Sequence, residues 1–465
     1  MPHNDIITLN PIDAAFLFLE SDNTPAHFGG LEIFSHPKNH RGSLFKDLAR
    51  DFEDKDEFSR PYNQRLVPGS LLGLRPPRWR IDEHFDFDYH VRHLAVPAPG
   101  HLSDLLKVIA RIHSRPLDFA HPLWEYYFID GLQGRRFAIY RKSHHSAIDG
   151  VGGLALVEKT YSHSPRGRMR WAPWNPPASV TRDRRHRHPF RKAVENAGSM
   201  LTGASRAGPL MSFAADTIRR KVTGATAGLT LPYAAPATPF NVPVSAHRRF
   251  DIRTLDLNEM RDVAHRLGGT INDLVVTVCA GALRRYLQDK KQLPEKTLTA
   301  GVPVSIRKEG EKSKNRIVFV LCELGTHLRD AGERFRWIKN SMDESRRLLE
   351  ILPEAGATGF TLAMDAAFML QRSLSGVAPS LPPIANLVIS NVAGSQKPLY
   401  MNGARLEGMW PLSLLMDGQA LNITVSSYVN TMNFGIIACR EAVRDVDRIG
   451  SFIEDSFDEL ITTAG

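Results

Sequence analysis

The 465-residue sequence contains only three cysteines, and they lie far apart within apolar segments, at Cys279, Cys322 and Cys439. This spacing excludes a disulfide framework, and it lacks the paired pattern of a structural zinc site. We therefore expect a reducing, cytoplasmic compartment. The first residues lack a basic region followed by an apolar run, so we expect no secretory signal. The longest helical apolar stretch, near Leu274 to Leu283, is shorter than the ~20 residues of a membrane span.

The overall composition is that of a globular protein. Apolar residues make up 42% of the chain and charged residues 23%, with 34 Gly and 30 Pro. These proportions exclude a collagen-like or wholly disordered chain. The length is too great for one compact core and suits two domains of ordinary size.

The positive charge is concentrated in one segment. The net charge is +9, and residues 161–192 hold nine basic residues and a single acid, Asp183. The same segment contains five prolines, which is typical of an exposed connection. We therefore predict an N-terminal domain over residues 1–160, a basic linker with helices over 161–245, and a C-terminal domain over 246–465.

The linker region allows two interpretations. Residues 190–231 mix apolar side chains with basic ones, including Arg219, Arg220 and Lys221, in weakly amphipathic order. Such a segment could contact an anionic lipid surface, or it could be a solvated linker whose helices pack on the second domain. We expect no nucleic-acid binding, because no recognition motif accompanies the charge.

Hydrophobic periodicity predicts mixed strands and helices in both halves. Strands are predicted at Ala26–Phe34, Trp124–Ile129, Arg136–Lys142, Arg248–Leu255, Thr297–Ile306, Ile317–Leu324, Leu387–Ser390, Leu421–Tyr428 and Asn433–Cys439. Helices are predicted at Ser103–His113, Val151–Tyr161, Leu257–Leu267, from Thr270 to about Gln288, and from about Asp447 to Ile461. The predicted fold class is α/β, with two domains around a shared cleft.

The segment His144-His145-Ser146-Ala147-Ile148-Asp149-Gly150 is the most informative for chemistry. Adjacent strand residues point to opposite faces, so we expect one histidine to be buried and the other available as a base near neutral pH. A metal site would need further ligands that no evident cluster supplies, so we predict none. A catalytic triad would need a nucleophile elbow, and no G-x-S-x-G occurs. General-base catalysis and a purely structural histidine pair both stay open.

This segment resembles the HHxxxDG signature of the CoA-dependent acyltransferases, the superfamily of chloramphenicol acetyltransferase and peptide-synthetase condensation domains. Further motifs resemble one branch, the bacterial wax ester synthase/diacylglycerol acyltransferases. They occur in the same order along nearly the whole chain, at Leu9–Leu17, Pro116–Glu125, Thr270–Asp273 and Asn433–Gly435.

The resemblance implies two chloramphenicol-acetyltransferase-like domains of mixed sheet and helices around a central substrate channel. It implies that His145 is the general base, that His144 and Asp149 support the active-site loop, and that Gly150 leaves room for substrate. Acyl-CoA would be the co-substrate and no cofactor would be needed. The acceptor would be a long-chain alcohol or diacylglycerol, acylated without an acyl-enzyme.

Five further residues are candidates around this site. Thr270 followed by Asp273 fits a helix capping box, which favours a structural role for Asp273. Asn272 could donate an amide hydrogen bond into the cleft. Trp124 is expected to pack in its strand, with channel lining as the alternative, and Ser390 and Asn391 could line the far side of the site.

Two other functions remain alternatives. The chain could be a non-catalytic acyl-CoA or lipid-binding protein of the same fold, or an acyltransferase for a non-lipid acceptor. We expect a cytoplasmic protein that can associate peripherally with the inner membrane or with lipid inclusions.

Overall fold

A computed structural model describes residues 6–9, 11–37, 44–53, 60–69, 76–148, 150–169, 171–172, 174, 230, 232–306, 316–351 and 382–465. Within them, none of the helices is both long and apolar enough to cross a membrane.

A six-stranded sheet forms the centre of the N-terminal half. In spatial order its strands are β12 (Tyr400–Met401), β13 (Ala404–Leu412), β2 (His27–Ser35), β7 (Arg136–His144), β6 (Trp124–Leu132) and β5 (Val91–Ala95). Neighbouring strands are antiparallel except β5 and β6, which are parallel. The strands predicted at Trp124–Ile129 and Arg136–Lys142 pair as the β6–β7 hairpin. Gly131, where the register of β6 shifts, and Gly134, in the turn, adopt positive φ angles of 91° and 76°, which glycine tolerates best.

A second six-stranded sheet forms the C-terminal half. Its order is β10 (Arg316–Glu323), β9 (Thr299–Ile306), β11 (Leu387–Val392), β14 (Leu421–Tyr428), β15 (Thr431–Cys439) and β8 (Arg248–Asp256). Strand β11 pairs in parallel with both of its neighbours, and the other pairs are antiparallel. The predicted strands of this half are confirmed to within a few residues.

A small three-stranded sheet accompanies the N-terminal half. It consists of β1 (Ile7–Thr8), β4 (Arg78–Ile81) and β3 (Gln64–Val67). Helix α1 (Pro11–Leu19) packs with it through Ala14, in a core that also contains Leu117 and Leu123. This core reaches the HHSAIDG segment, because Ala147 packs against it.

The remaining helices are α2 (Leu44–Glu53), α3 (Phe87–His90), α4 (Leu102–His113), α5 (Gly150–Thr160), α6 (Leu257–Arg266), α7 (Ile271–Asp289), α8 (Ala331–Ile351) and α9 (Val446–Ala464). Most side chains of α7 are buried, because the helix lies within the C-terminal core beside α8 and α9. The helices predicted at α4 to α7 and α9 are confirmed; α1, α2, α3 and α8 were not predicted.

Strands β12 and β13 cross between the halves. They follow β11 in the sequence, yet they complete the N-terminal sheet, where β13 pairs with β2. The predicted 246–465 domain therefore contributes a hairpin to the sheet of the other half. This exchange of strands could not be predicted from local patterns, because a strand has the same alternation whichever sheet it joins.

Candidate active site

The HHSAIDG segment lies at the end of a buried strand. Strand β7 ends at His144, and a short turn leads to α5, which begins at Gly150. The backbone N–H of His145 donates to the carbonyl of Ala26, 2.9 Å away, and the N–H groups of Ala147 and Ile148 donate to the carbonyl of His144. Backbone hydrogen bonds alone therefore hold residues 145–148 of this segment in place.

His144 is fully buried and fully engaged. Its Nδ1 lies 3.1 Å from the backbone nitrogen of Ser146 and 2.6 Å from the Ser146 Oγ. Its Nε2 lies 2.7 Å from Oε2 of Glu20, the residue that follows α1. His144 is thus the buried member of the histidine pair.

His145 is half-buried between aromatic rings. Its imidazole stacks on Phe16 of α1, with ring centroids 4.2 Å apart and planes 19° from parallel. The Phe28 ring of β2 makes an edge-type contact with the same imidazole, with ring centroids 5.7 Å apart and planes at 69°. Stacking of this kind restricts the ring plane while leaving the nitrogens at the ring edge. Of the two histidines, His144 is therefore buried and His145 is half-buried.

Asp149 lies outside the described residues. Gly150 opens α5, whose Gly153 faces the Phe28 ring, so that a β-carbon at position 153 would stand 3.4 Å from it. The glycine-rich start of α5 therefore allows the helix to approach Phe28, one of the two aromatic rings that contact His145.

Asp273 is a capping residue. The Thr270 Oγ1 accepts from the Asp273 backbone N–H at 3.2 Å, and the Asp273 Oδ2 accepts from the Thr270 backbone N–H at 2.9 Å. The side chain is buried, with Arg346 3.6 Å from its other oxygen. The predicted capping box is confirmed, and Asp273 has a structural role at the start of α7.

The structure brings Asn272 and Asn391 together. Asn391 Nδ2 lies 3.5 Å from Asn272 Oδ1, which joins the start of α7 to the end of β11. Two residues beyond β11, Gly394 approaches α5: Leu154 Cδ2 lies 3.9 Å from the place of a β-carbon at Gly394. The end of β11 therefore meets the helix that follows the histidine motif. Ser390, half-buried on β11, is in register with Thr424.

Trp124 lies in the core. It is 4% exposed, its Nε1 donates to the Tyr62 carbonyl at 2.8 Å, and its ring stacks on His90 at 4.5 Å. Burial lowers the pKa of His90 to about 4, which keeps this imidazole neutral. These contacts favour strand packing over channel lining for Trp124.

A buried lysine lies two residues before His144 on the same strand. Lys142 Nζ donates to Glu125 Oε2 at 3.2 Å and to the carbonyl of Ile112, near the end of α4, at 3.3 Å. Burial lowers the pKa of Lys142, and Glu125 opposes that shift. Burial, followed by the charge of Lys142, also lowers the pKa of His27, the register partner of His144 on β2. The strands beneath the turn therefore hold a neutral histidine and a paired lysine.

Three residues of the site, Phe16, Glu20 and Phe28, were not predicted from the sequence. Phe16 stands inside the opening segment quoted for the family resemblance, which is the one signal that pointed to it. Glu20 and His144 are separated by 124 positions, so their contact depends on the packing of α1 against the turn.

The fold defines a class, the condensation-domain fold. The starter condensation domain of rhizomide synthetase RzmA superposes with a TM-score of 0.54 at 13% identity, covering 99% of this chain and 95% of that one. At this identity the likeness shows the fold alone, and it confirms the predicted α/β class.

Within this fold class, the sequence matches one family. The catalytic-domain model of the wax ester synthase/diacylglycerol acyltransferases matches residues 9–275, and the WS/DGAT C-terminal domain model matches residues 314–461. The chain therefore belongs to the wax ester synthase/diacylglycerol acyltransferase family and is an O-acyltransferase, as the sequence motifs predicted.

Three relatives illustrate the match. O-acyltransferase WSD of Acinetobacter baylyi is 37% identical over 448 residues, covering 96% of this chain and 95% of that protein. Rv3740c of Mycobacterium tuberculosis, named as a diacylglycerol O-acyltransferase, is 38% identical over 462 residues, covering 98% and 100%. The wax ester synthase/diacylglycerol acyltransferase of Marinobacter aquaeolei VT8 superposes with a TM-score of 0.76 at 34% identity, covering 98% and 100%.

Proposed function

We propose that the protein transfers an acyl group from acyl-CoA to the hydroxyl of a long-chain alcohol or a diacylglycerol, producing a wax ester or a triacylglycerol. The observation that carries this proposal is the half-buried His145, held between Phe16 and Phe28 on a fixed turn. The family membership and the names of the relatives above support both acceptors. No cofactor is needed in this reaction.

His145 acts as the general base in a single complex of both substrates. Its imidazole takes the proton of the acceptor hydroxyl while the oxygen attacks the thioester carbonyl. The tetrahedral intermediate then collapses, the C–S bond breaks, and the CoA sulfur receives the proton as the thiol. No acyl-enzyme forms. General-base action of this kind contributes about 10²- to 10⁴-fold in rate.

Asn272 is the candidate hydrogen-bond donor to substrate on the side of the site opposite His145. Its Oδ1 accepts from Asn391, so the amide N–H₂ is the end that can donate to substrate. Asp149 and Gly150 keep the roles that the resemblance implies: Asp149 stabilises the loop, and Gly150 leaves room beside the base.

The test is thiol release from palmitoyl-CoA with hexadecanol or a diacylglycerol as acceptor. His145→Ala should reduce acceptor-dependent release by about 10²- to 10⁴-fold. His265→Ala, at an exposed histidine on α6, is the matched control and should keep wild-type activity. Release that survives His145→Ala would contradict the assigned base. Binding of palmitoyl-CoA without release would favour the non-catalytic lipid-binding protein, and release only with amine or carrier-bound acceptors would favour the non-lipid acyltransferase.

We also propose that the protein works peripherally at a membrane or lipid-inclusion surface, since both products are apolar. The basic segment 161–231 is the candidate contact, and residues 170, 173, 175–229 and 231 of it lie outside the described residues. Flotation with liposomes that contain anionic lipid should weaken when residues 175–229 are deleted, a deletion that keeps the buried Tyr161 and Trp174 in place. Equal flotation of the deletion variant and the wild type would remove this assignment.

A further inference from the structure

We propose that Glu20 is a positioning residue for the reaction: its carboxylate fixes the tautomer of His144, and through it the turn that presents His145. This inference rests on the proposed function, since it concerns how the base is held.

The tautomer follows from the hydrogen bonds. A backbone N–H can only donate, so the His144 Nδ1, 3.1 Å from the Ser146 nitrogen, is an acceptor and carries no proton. A neutral imidazole has one N–H, and it must therefore be on Nε2. That N–H donates to the Glu20 Oε2 at 2.7 Å.

His144 and Glu20 lie in a buried environment, in which a hydrogen bond to a carboxylate is strong. The His144 side chain is fully buried and that of Glu20 is 8% exposed. The other oxygen of Glu20 has no hydrogen-bond partner among the described residues, so the bond to His144 is the one that holds this carboxylate there. Hydrogen bonds to a carboxylate in such surroundings are shorter and stronger than neutral ones.

The consequence reaches His145 through the turn. Without the carboxylate, the ring can move its proton to Nδ1. The Ser146 Oγ, 2.6 Å away, can accept that proton, but the Ser146 backbone N–H would then face Nδ1 donor against donor. The turn would lose the bond that folds Ser146 back onto His144, and this bond spans His145. A misplacement of about 1 Å can cost about 10²-fold in rate.

The first experiment compares Glu20→Ala and Glu20→Gln with Asp22→Ala, which removes an exposed acid two residues away. We expect Glu20→Ala to lower kcat by about 10- to 100-fold with the KM for palmitoyl-CoA nearly unchanged. Glu20→Gln should recover part of the loss, since its amide oxygen can accept the Nε2–H. Asp22→Ala should behave as wild type. A Glu20→Ala variant with wild-type kcat overturns the proposal.

A double-variant cycle separates this role from simple anchoring of α1. In His144→Asn, the amide oxygen replaces Nδ1 as acceptor for Ser146 and no ring tautomer remains. Glu20→Ala should then add little to the loss already caused by His144→Asn, because both changes act on one interaction. Losses that multiply in the double variant would show that Glu20 acts independently of His144.

A measurement without substrate tests the inference apart from the proposed function. Ring ¹⁵N shifts of selectively labelled histidine report the tautomer, and the His144 signals are identified by their loss in His144→Asn. We expect the Nε2–H form in the wild type and a tautomer mixture in Glu20→Ala. An Nδ1–H form in the wild type overturns the proposal even if His145 proves to be the base.

Discussion

Outside the site, Glu32 on β2 is a fully buried carboxylate that needs partners for both of its oxygens. Its Oε1 pairs with Arg141 of β7, and its Oε2 accepts from the Tyr161 hydroxyl at 2.5 Å. Burial raises the pKa of Glu32, and Arg141 opposes the shift. The ion pair lies three residues before His144, so the stability of the motif strand depends on it.

Arg141→Met should therefore destabilise the protein by about 3–5 kcal/mol at pH 8, because it leaves a buried carboxylate unpaired. The loss should be smaller at pH 5.5. With its pKa raised in the folded state, Glu32 binds a proton more readily in the native than in the unfolded chain, so stability falls as pH rises. Urea unfolding at the two pH values measures the difference. An equal loss at both would contradict the role assigned to Glu32, and Glu32→Gln should restore stability to Arg141→Met.

At the scale of single elements, helix α7 is stabilised at its N-terminus by a capping box. Its capping box depends on residues three positions apart, and it begins the helix that carries Asn272. Thr270→Ala should cost about 1 kcal/mol in the free energy of unfolding, because it leaves the Asp273 N–H without its cap. Urea denaturation measures this. Thr270→Ser, which keeps the hydroxyl, is the control and should stay close to wild type; a Thr270→Ala variant as stable as Thr270→Ser would refute the capping role.

Two neighbouring glycines of β2 should respond differently to alanine. A β-carbon at Gly29 would collide with the buried Tyr140 ring, whereas one at Gly30 would meet its nearest atom, Arg141 Nη2, at an ordinary 3.5 Å. Gly29→Ala should destabilise by about 1–3 kcal/mol by overpacking, and Gly30→Ala should be close to neutral. Thermal unfolding of both variants compares them under identical conditions. Equal shifts in Tm would show that the ring can move aside.

At the scale of the whole molecule, the two halves meet where β13 of the N-terminal sheet faces β15 of the C-terminal sheet. Gly435 on β15 packs against the backbone carbonyl of Pro411, which leaves no space for a β-carbon. A backbone atom cannot swing away as a side chain can. This contact gives a physical reason for the glycine in the Asn433-Phe434-Gly435 motif.

Gly435→Ala should force the sheets apart, with a loss of about 1–3 kcal/mol in stability and a parallel loss of acyl transfer, since the Asn272–Asn391 side and the His145 side belong to different halves. Urea unfolding and thiol release on the same preparation provide both readouts. Unchanged stability would contradict the packing argument. Reduced stability with unchanged kcat would show that the site tolerates the displacement.

The sequence by itself determined the features that depend on residues close together in the chain. These include the strand and turn of the HHSAIDG motif, the β6–β7 hairpin, the Thr270–Asp273 capping box and the order of the family motifs. Each depends on a local pattern: apolar and polar residues that alternate along a strand, glycines in a turn, or capping residues three positions apart. Residues close together in the chain are enough to set these patterns.

Only the tertiary structure decided which distant residues meet. It placed Glu20 on His144, Phe16 on His145, Asn391 on Asn272, and the β12–β13 hairpin in the sheet of the other half. These contacts join residues more than a hundred positions apart. Local patterning shows that a face will be buried, but the partner that covers it depends on how all the elements pack together.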